Sequence, residues 1–370
     1  MSAAVDGVDV VRSVADAEGN ELAPLIVLDE LEAFLDEHGL GSGPLRVERI
    51  GVRGGSNFSF LLERGPAGEG GKYVLRRPPR PPLPPSAHDM VREARLQLAL
   101  AKQGIRVPPI VAVGEDESVL GVPFYVMDFL DGHVIVDSLP PALEDDPDGR
   151  HALGLDLIDT LAQIHSVDVH EPGLERFIRP GSYAERQVKR WVQLWEINQT
   201  RELPVPELAE RMAVDIPEPL PLAVVHGDYR IGNVMVAGEP VQIIAVLDWE
   251  MGAIGDPRAD VGYVMATYLE PGGPPTPLGA SPPTAREGFP SKAELVARYE
   301  EQTGRALERL GWFEALAFWK SSVFCEAIYG RYIRGELGEA PQAARFETAV
   351  PHMVEAGLAA IGRDEAERAK

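Results

Sequence analysis

The stretch His226-Gly227-Asp228-Tyr229-Arg230-Ile231-Gly232-Asn233, followed fifteen residues after the Asn by Asp248-Trp249-Glu250, constrains this chain more than any other. Asn233-Val234-Met235-Val236 reads as a short strand, Ala237-Gly238-Glu239-Pro240 as a turn, and residues 241–247 as the returning strand. A hairpin of that length leaves Asn233 and Asp248 at its open ends, facing one space. An Asp, an Asn five positions on and a second Asp beyond a hairpin form the set that phosphoryl transfer needs. Asp228 can orient a hydroxyl and accept its proton. The Asn233 amide oxygen and the Asp248 carboxylate can hold Mg²⁺ on a nucleotide triphosphate.

This pattern resembles the aminoglycoside phosphotransferase and choline kinase-like family. His-Gly-Asp-x-x-x-x-Asn stands where protein kinases carry a His-Arg-Asp loop, and Asp248 stands where they carry the Asp of Asp-Phe-Gly. Leu247-Asp248-Trp249-Glu250-Met251 and Gly255-Asp256-Pro257-Arg258-Ala259-Asp260-Val261-Gly262-Tyr263 are similar to the family block after the metal site. Arg186-Gln187-Val188-Lys189-Arg190-Trp191 is similar to a narrower branch, also found fused to acyl-CoA dehydrogenases. The resemblance covers residues 45–335.

It implies an α+β, two-lobed, protein-kinase-like fold. Residues 1–130 would form a small antiparallel-sheet N-lobe with a phosphate loop and hinge. Residues 131–370 would form a larger, mainly helical C-lobe with the catalytic loop, metal site and substrate site. The implied reaction is Mg²⁺-dependent transfer of the γ-phosphoryl group of ATP or GTP to a small-molecule hydroxyl. The family label points to an aminoglycoside acceptor, the branch signature to a hydroxyacyl-CoA or another metabolite. A nucleotide-binding protein without kinase activity is the alternative from another class, with Arg76 as the damaging change. The retained Asp228, Asn233 and Asp248 argue against it. A protein kinase is disfavoured because no Ala-Pro-Glu follows Asp248.

Composition narrows the partners. A net charge of −23 argues against nucleic acid, whose phosphates need clustered Lys and Arg. It suits a cationic acceptor, and equally a surface kept soluble by acid. No run of eighteen apolar residues exists, so no membrane span is expected. The first residues lack a basic segment followed by an apolar one, and the single cysteine, Cys325, excludes an intramolecular disulfide framework. A cytoplasmic location is expected.

Strands are expected at 45–50, 58–63, 72–76, 110–113 and 123–128, with a helix from Ser86 to about Gln103. Gly54, Gly55, Ser56 and Asn57, between the first two strands, suit a phosphate loop. Arg76 occupies the strand position where kinases carry Lys, and Glu93 is its candidate partner or else a surface ion-pair residue. Arg77 should point to the opposite face. Met127 and Phe129, at the hinge, are nucleotide-contact candidates on the resemblance. Helices are expected at 150–165, 182–200, 257–269, 291–303, 308–333 and 341–362. The Pro- and Gly-rich stretch 271–290 reads as a long surface loop and a lid candidate. His226 and Asp260 are expected to brace the loop, and His165 to be a packed helix-end histidine. Trp191, Trp195, Trp312 and Trp319 are expected in the core. Glu326 interrupts an apolar run and would meet a cationic substrate or pair with Arg331 or Arg334.

Overall fold

The structure is a computed structural model that describes residues 9–20, 22–51, 57–66, 69–80, 88–278, 282–336 and 341–370. The chain divides into two units, Met1–Asp131 and Gly132–Lys370.

In the first unit β1 (Val10–Val11) pairs in parallel with β2 (Ile26–Val27). Then follow α1 (Leu28–Glu37), β3 (Leu45–Ile50), β4 (Phe58–Arg64), β5 (Lys72–Arg77), α2 (Met90–Lys102), β6 (Ile110–Gly114) and β7 (Phe124–Asp128). The sheet runs β3-β4-β5-β7-β6 with every neighbouring pair antiparallel. Strand alternation sends Phe60, Leu62, Leu75, Phe124 and Val126 to the face covered by Leu31, Phe34 and Leu35 of α1. Tyr125 and Met127 go to the other face, against Met90 and Ala94 of α2. Each fully buried Leu or Phe stabilises this packing by about 1.5–3 kcal/mol.

Local chemistry departs from expectation at the helix starts. α1 begins at Leu28, so Asp29 lies in its first turn, paired with Arg12 at 2.7 Å. A carboxylate there still opposes the positive end of the helix dipole. Asp89, whose side chain accepts from the Arg92 amide at 2.9 Å, caps α2. Ser86, the expected cap, lies outside the described residues.

The second unit contains β8 (His133–Val134), α3 (Pro147–His165), α4 (Tyr183–Asn198), α5 (Val205–Val214), β9 (Ala223–Val225), β10 (Val234–Ala237), β11 (Gln242–Val246), β12 (Ala253–Gly255), α6 (Arg258–Thr267), α7 (Lys292–Thr303), α8 (Leu310–Ile333) and α9 (Phe346–Arg368). Two small antiparallel sheets, ordered β11-β10-β8 and β12-β9, lie in this unit. Trp191, Trp195, Trp312 and Trp319 enter one core with Leu208, Met212 and Ile361, as their helical spacing implies. α7 begins with a capping box, in which Ser291 and Glu294 each satisfy the other's backbone amide.

Glu326 meets neither Arg331 nor Arg334. It is fully buried and accepts from the Thr200 hydroxyl at 2.5 Å and from Arg201 at 3.0 Å, which makes it a pin between α8 and the end of α4. The described part of the stretch 271–290 is tied down rather than loose. Thr284 is fully buried and accepts from the Leu269 amide, while the Tyr268 hydroxyl donates to the Pro290 carbonyl. Among the described residues, no helix is long and apolar enough to cross a membrane.

Candidate active site

The catalytic-loop motif leaves β9 and returns through β10. Two side chains fix its start. The Asp260 carboxylate, fully buried at the beginning of α6, accepts the His226 amide at 2.6 Å and the Gly227 amide at 2.8 Å. The Tyr229 hydroxyl donates to the Leu157 carbonyl of α3 at 2.7 Å. Gly227 has φ +83°, and a Cβ there would lie 2.9 Å from the Met251 carbonyl oxygen, so the motif's glycine is a steric requirement.

His226 braces the loop, as its place in the motif implies. Its Nδ1 accepts from the Asp228 amide at 3.2 Å, so Nε2 carries the hydrogen donated to the Leu247 carbonyl at 2.8 Å. One imidazole therefore ties the residue bearing the first carboxylate to the residue preceding Asp248. The ring also lies 4.6 Å from that of buried Trp249.

Asn233 is buried, and its Nδ2 donates to the Asp228 carbonyl at 2.8 Å and to Asp228 Oδ2 at 2.7 Å. Both donor hydrogens are committed, so the amide oxygen points the other way. Across the hairpin the Leu247 amide donates to the Asn233 carbonyl at 2.8 Å, which sets Asp248 one residue beyond the ladder. Asp248 takes the left-handed conformation, φ 66° and ψ 62°. A non-glycine residue in that region costs on the order of 1 kcal/mol and collects at functional sites. Two oxygen donors of this kind fit Mg²⁺, which keeps waters and phosphate oxygens in its remaining positions. Among the described residues no group of three or more His, Cys, Asp or Glu forms a cage of its own.

Two cations and a phenol near Asp228 were not legible as site residues. Arg230 Nε lies 3.8 Å from Asp228 Oδ1. Lys320, from the middle of α8, donates to the Gly227 carbonyl and lies 4.9 Å from the Tyr263 ring centre. Arg190 of α4 is close enough to Lys320 to act on its charge. The Tyr263 hydroxyl lies near the Asp228 carboxylate, and burial followed by that carboxylate's charge pushes its pKa well up. The one signal for Lys320 is a charge inside an apolar helix run.

His165 is the packed histidine its helix-end position implied, and it belongs to the brace. Its Nε2 meets Asp260 at 3.2 Å and its Nδ1 accepts from the Tyr299 hydroxyl at 2.7 Å. Burial lowers the His165 pKa in spite of Asp260. Burial alone would raise the Asp260 carboxyl, but the bond from His165, the charge of the imidazoles and the Gly227 amide outweigh it, and the net direction is downward. Above pH ~6.5 folded and unfolded chains both hold this imidazole neutral. Below that, the unfolded chain takes up a proton that the folded one resists, so stability falls with pH by up to about 1.4 kcal/mol per unit. Denaturant melts between about pH 7.5 and 5.5 should show a shallower pH slope in His165→Gln than in the parent. Equal slopes would remove His165 from the brace. His88, also lowered by burial, remains in both proteins and cancels.

In the first unit Arg76 Nε lies 3.4 Å from Glu93, which is buried and accepts the Tyr125 hydroxyl at 2.9 Å. The surface-pair alternative for Glu93 is thereby excluded. Arg77 points to the opposite face, as alternation requires, but it is buried there and donates to the Leu25 and Pro78 carbonyls. Burial lowers its pKa to about 10. Met127 packs partly buried beside Tyr125, and Phe129, past the strand end, is 39% exposed. Asn57 Oδ1 meets His88 Nδ1 at 2.8 Å. Gly54, Gly55 and Ser56 lie outside the described residues. The structure thus gathers Asp228, Asn233 and Asp248 through His226, and gathers Arg76 with Glu93.

Comparison with known proteins places this geometry. The chain is 33% identical over 313 residues to acyl-CoA dehydrogenase family member 10 of Mus musculus, covering 84% of this chain and 28% of that protein. It is 31% identical over 336 residues to acyl-CoA dehydrogenase family member 11 of Homo sapiens, covering 89% and 42%. It therefore spans less than half the length of these curated relatives. Among solved structures, a Ralstonia eutropha protein provisionally described as an aminoglycoside phosphotransferase superimposes with TM-score 0.74 at 30% identity, covering 90% of this chain and 98% of that one. Choline kinase of Cryptosporidium parvum shares the kinase-like fold at TM-score 0.57 and 12% identity, covering 86% and 90%. Residues 49–313 match the model of the phosphotransferase enzyme family (APH), and it is to this family that the chain belongs.

Proposed function

We propose that this protein is a Mg²⁺-dependent small-molecule kinase that transfers the γ-phosphoryl group of ATP or GTP to a hydroxyl. The observation that carries the reading is the bond from Asn233 Nδ2 to Asp228 Oδ2 at 2.7 Å. It orients the carboxylate as proton acceptor for the incoming hydroxyl and turns the amide oxygen toward a metal. Asn233 Oδ1 and Asp248 are the proposed Mg²⁺ ligands. Bound Mg²⁺ neutralises charge on the phosphate oxygens. Arg230 stands close enough to Asp228 to meet the transferred group's charge.

In the first unit Gly54, Gly55, Ser56 and Asn57 are the proposed phosphate loop, and Met127 and Phe129 the proposed base contacts. Arg76, held by Glu93, is the proposed phosphate cation, since guanidinium stays charged and grips two oxygens at once. Arg76→Ala should raise the KM for ATP about tenfold or more and lower turnover with melting little changed. Arg77→Ala should leave the KM for ATP unchanged but lower stability by about 1–3 kcal/mol, because two buried carbonyls lose their donor. Steady-state kinetics and melts on both variants decide. The opposite pattern would move the phosphate role to Arg77.

A second reading narrows the acceptor. The curated relatives carry names that refer to acyl-CoA, which favours a hydroxyacyl-CoA over an aminoglycoside. A coupled assay of ADP release over the basal rate, run against hydroxyacyl-CoA thioesters and aminoglycosides, tests both readings. Stimulation by aminoglycosides alone overturns the second. No stimulation by any hydroxyl compound, and no phosphorylated product by mass spectrometry, overturns the first.

A further inference from the structure

We infer that Lys320 is a positioning residue for phosphoryl transfer: its amine clamps the peptide between Gly227 and Asp228 and, with Tyr263, sets the direction of the Asp228 carboxylate. The inference rests on Asp228 as the proton acceptor proposed above.

The geometry comes from two helices that cross at close range. Gly262 of α6 lies against the Phe313 backbone of α8, where a Cβ would come within 2.6 Å of a main-chain carbon. That approach brings Tyr263, the next residue of α6, beside Lys320 and Ser321 of α8. The Lys320 stem runs through an otherwise apolar part of α8, between Trp319 and the buried Ser321. Its amine emerges at the Gly227 carbonyl, over the Tyr263 ring. The Tyr263 hydroxyl lies near the Asp228 carboxylate, whose charge acts on it.

Each polar atom flanking this peptide then has a partner from a different element. Asp260 of α6 holds the Gly227 amide, Lys320 of α8 holds the Gly227 carbonyl, and His226 holds the Asp228 amide. A peptide plane can rotate only by changing the dihedrals on either side, here ψ of Gly227 and φ of Asp228. Gly227, lacking a Cβ, offers little steric resistance to that rotation. Among the described residues, the lysine is the side chain that holds the oxygen end of the plane. Rotation would swing the Asp228 carboxylate away from Asn233 and Tyr263. Burial presses the Lys320 amine toward its neutral form, while the charges of Asp228, Asp260 and Glu250 oppose this and Arg190 adds to it. An amine partly withdrawn from water costs free energy unless it is paired, and the Gly227 carbonyl with the nearby Asp228 charge supplies that pairing.

The test uses Lys320→Met, which keeps the stem and removes the donor, Lys320→Arg, which keeps a donor, and Tyr263→Phe. Lys320→Met should lower kcat by about 10- to 100-fold with the KM for ATP within about twofold. Lys320→Arg should recover most of the loss, and Tyr263→Phe should fall between. Hydrogen–deuterium exchange of the amides of residues 226–230 provides a readout that needs no turnover. It should quicken about tenfold or more in Lys320→Met at unchanged melting temperature. Unchanged exchange in Lys320→Met overturns the clamp. Unchanged kcat, or a loss carried by the KM for ATP, overturns the positioning role. Should the parent transfer phosphate to no acceptor, the proposed function fails while exchange still decides the clamp. Should Lys320→Met not fold, exchange and kcat in Lys320→Arg and Tyr263→Phe decide. Both variants indistinguishable from the parent in exchange and kcat would overturn the inference.

Discussion

Asp228→Asn should lower turnover by about two orders of magnitude or more, equivalent to at least about 2.7 kcal/mol of barrier, while nucleotide affinity stays nearly intact. The substitution keeps the shape of the side chain and removes its basicity. Asn233 Nδ2 can still donate to an amide oxygen at Oδ2's position, so the loop keeps its inner bond. The Tyr263 hydroxyl keeps a polar neighbour. What disappears is the proton acceptor for the incoming hydroxyl. A group that acts only as chemistry proceeds should lower kcat and kcat/KM together and leave nucleotide binding alone. Single-turnover phosphoryl transfer measured alongside nucleotide titration would separate the two. Turnover within a few-fold of the parent would remove Asp228 from the role, and Asp248 or Glu250 would then need to be tested as acceptor.

The site was legible to the extent that it is local in sequence. Asp228, Asn233 and Asp248 are tied by spacings that a hairpin turns into proximity, and β10 and β11 form where that reading required. Arg76 and Arg77 could be told apart because a strand alternates, although alternation says nothing of how deeply Arg77 is buried. The brace is different in kind. The resemblance alone gave Asp260 its bracing role; His165, Asp260, Tyr263 and Lys320 reach the loop from three helices, and only packing makes them neighbours. No period in α8 distinguishes a lysine aimed at a backbone carbonyl from one aimed at water. The short strands β9 and β12 were missed because three-residue ladders carry too few alternations to register. Helix α5 was missed for a related reason. It is ten residues long and begins behind Pro204. α9 runs to Arg368, beyond its expected end at 362, because nothing in its charged last turns stops a helix.

Asp248→Ala should abolish Mg²⁺-dependent nucleotide binding, whereas Asn233→Ala should weaken it less and damage turnover instead. The asymmetry follows from what each side chain does. Asp248 offers a formal charge, which a hard cation prefers, and it is the carboxylate of the proposed pair. Asn233 offers a neutral oxygen on one side and holds Asp228 with its amide hydrogens on the other. Losing it costs one metal ligand and frees the proton acceptor. Alanine at 248 also inherits the left-handed backbone, φ 66°, without a side chain that tolerates it, so part of any defect could be conformational. Asp248→Asn separates the effects. Asparagine is among the residues that enter this region most readily, and it keeps an oxygen while losing the charge. Calorimetric titration of the nucleotide with and without Mg²⁺ into all three variants should rank the loss of binding Asp248→Ala, then Asp248→Asn, then Asn233→Ala. Binding in Asp248→Ala that still responds to Mg²⁺ as in the parent would place the metal elsewhere, and the strained backbone at Asp248 would need another explanation.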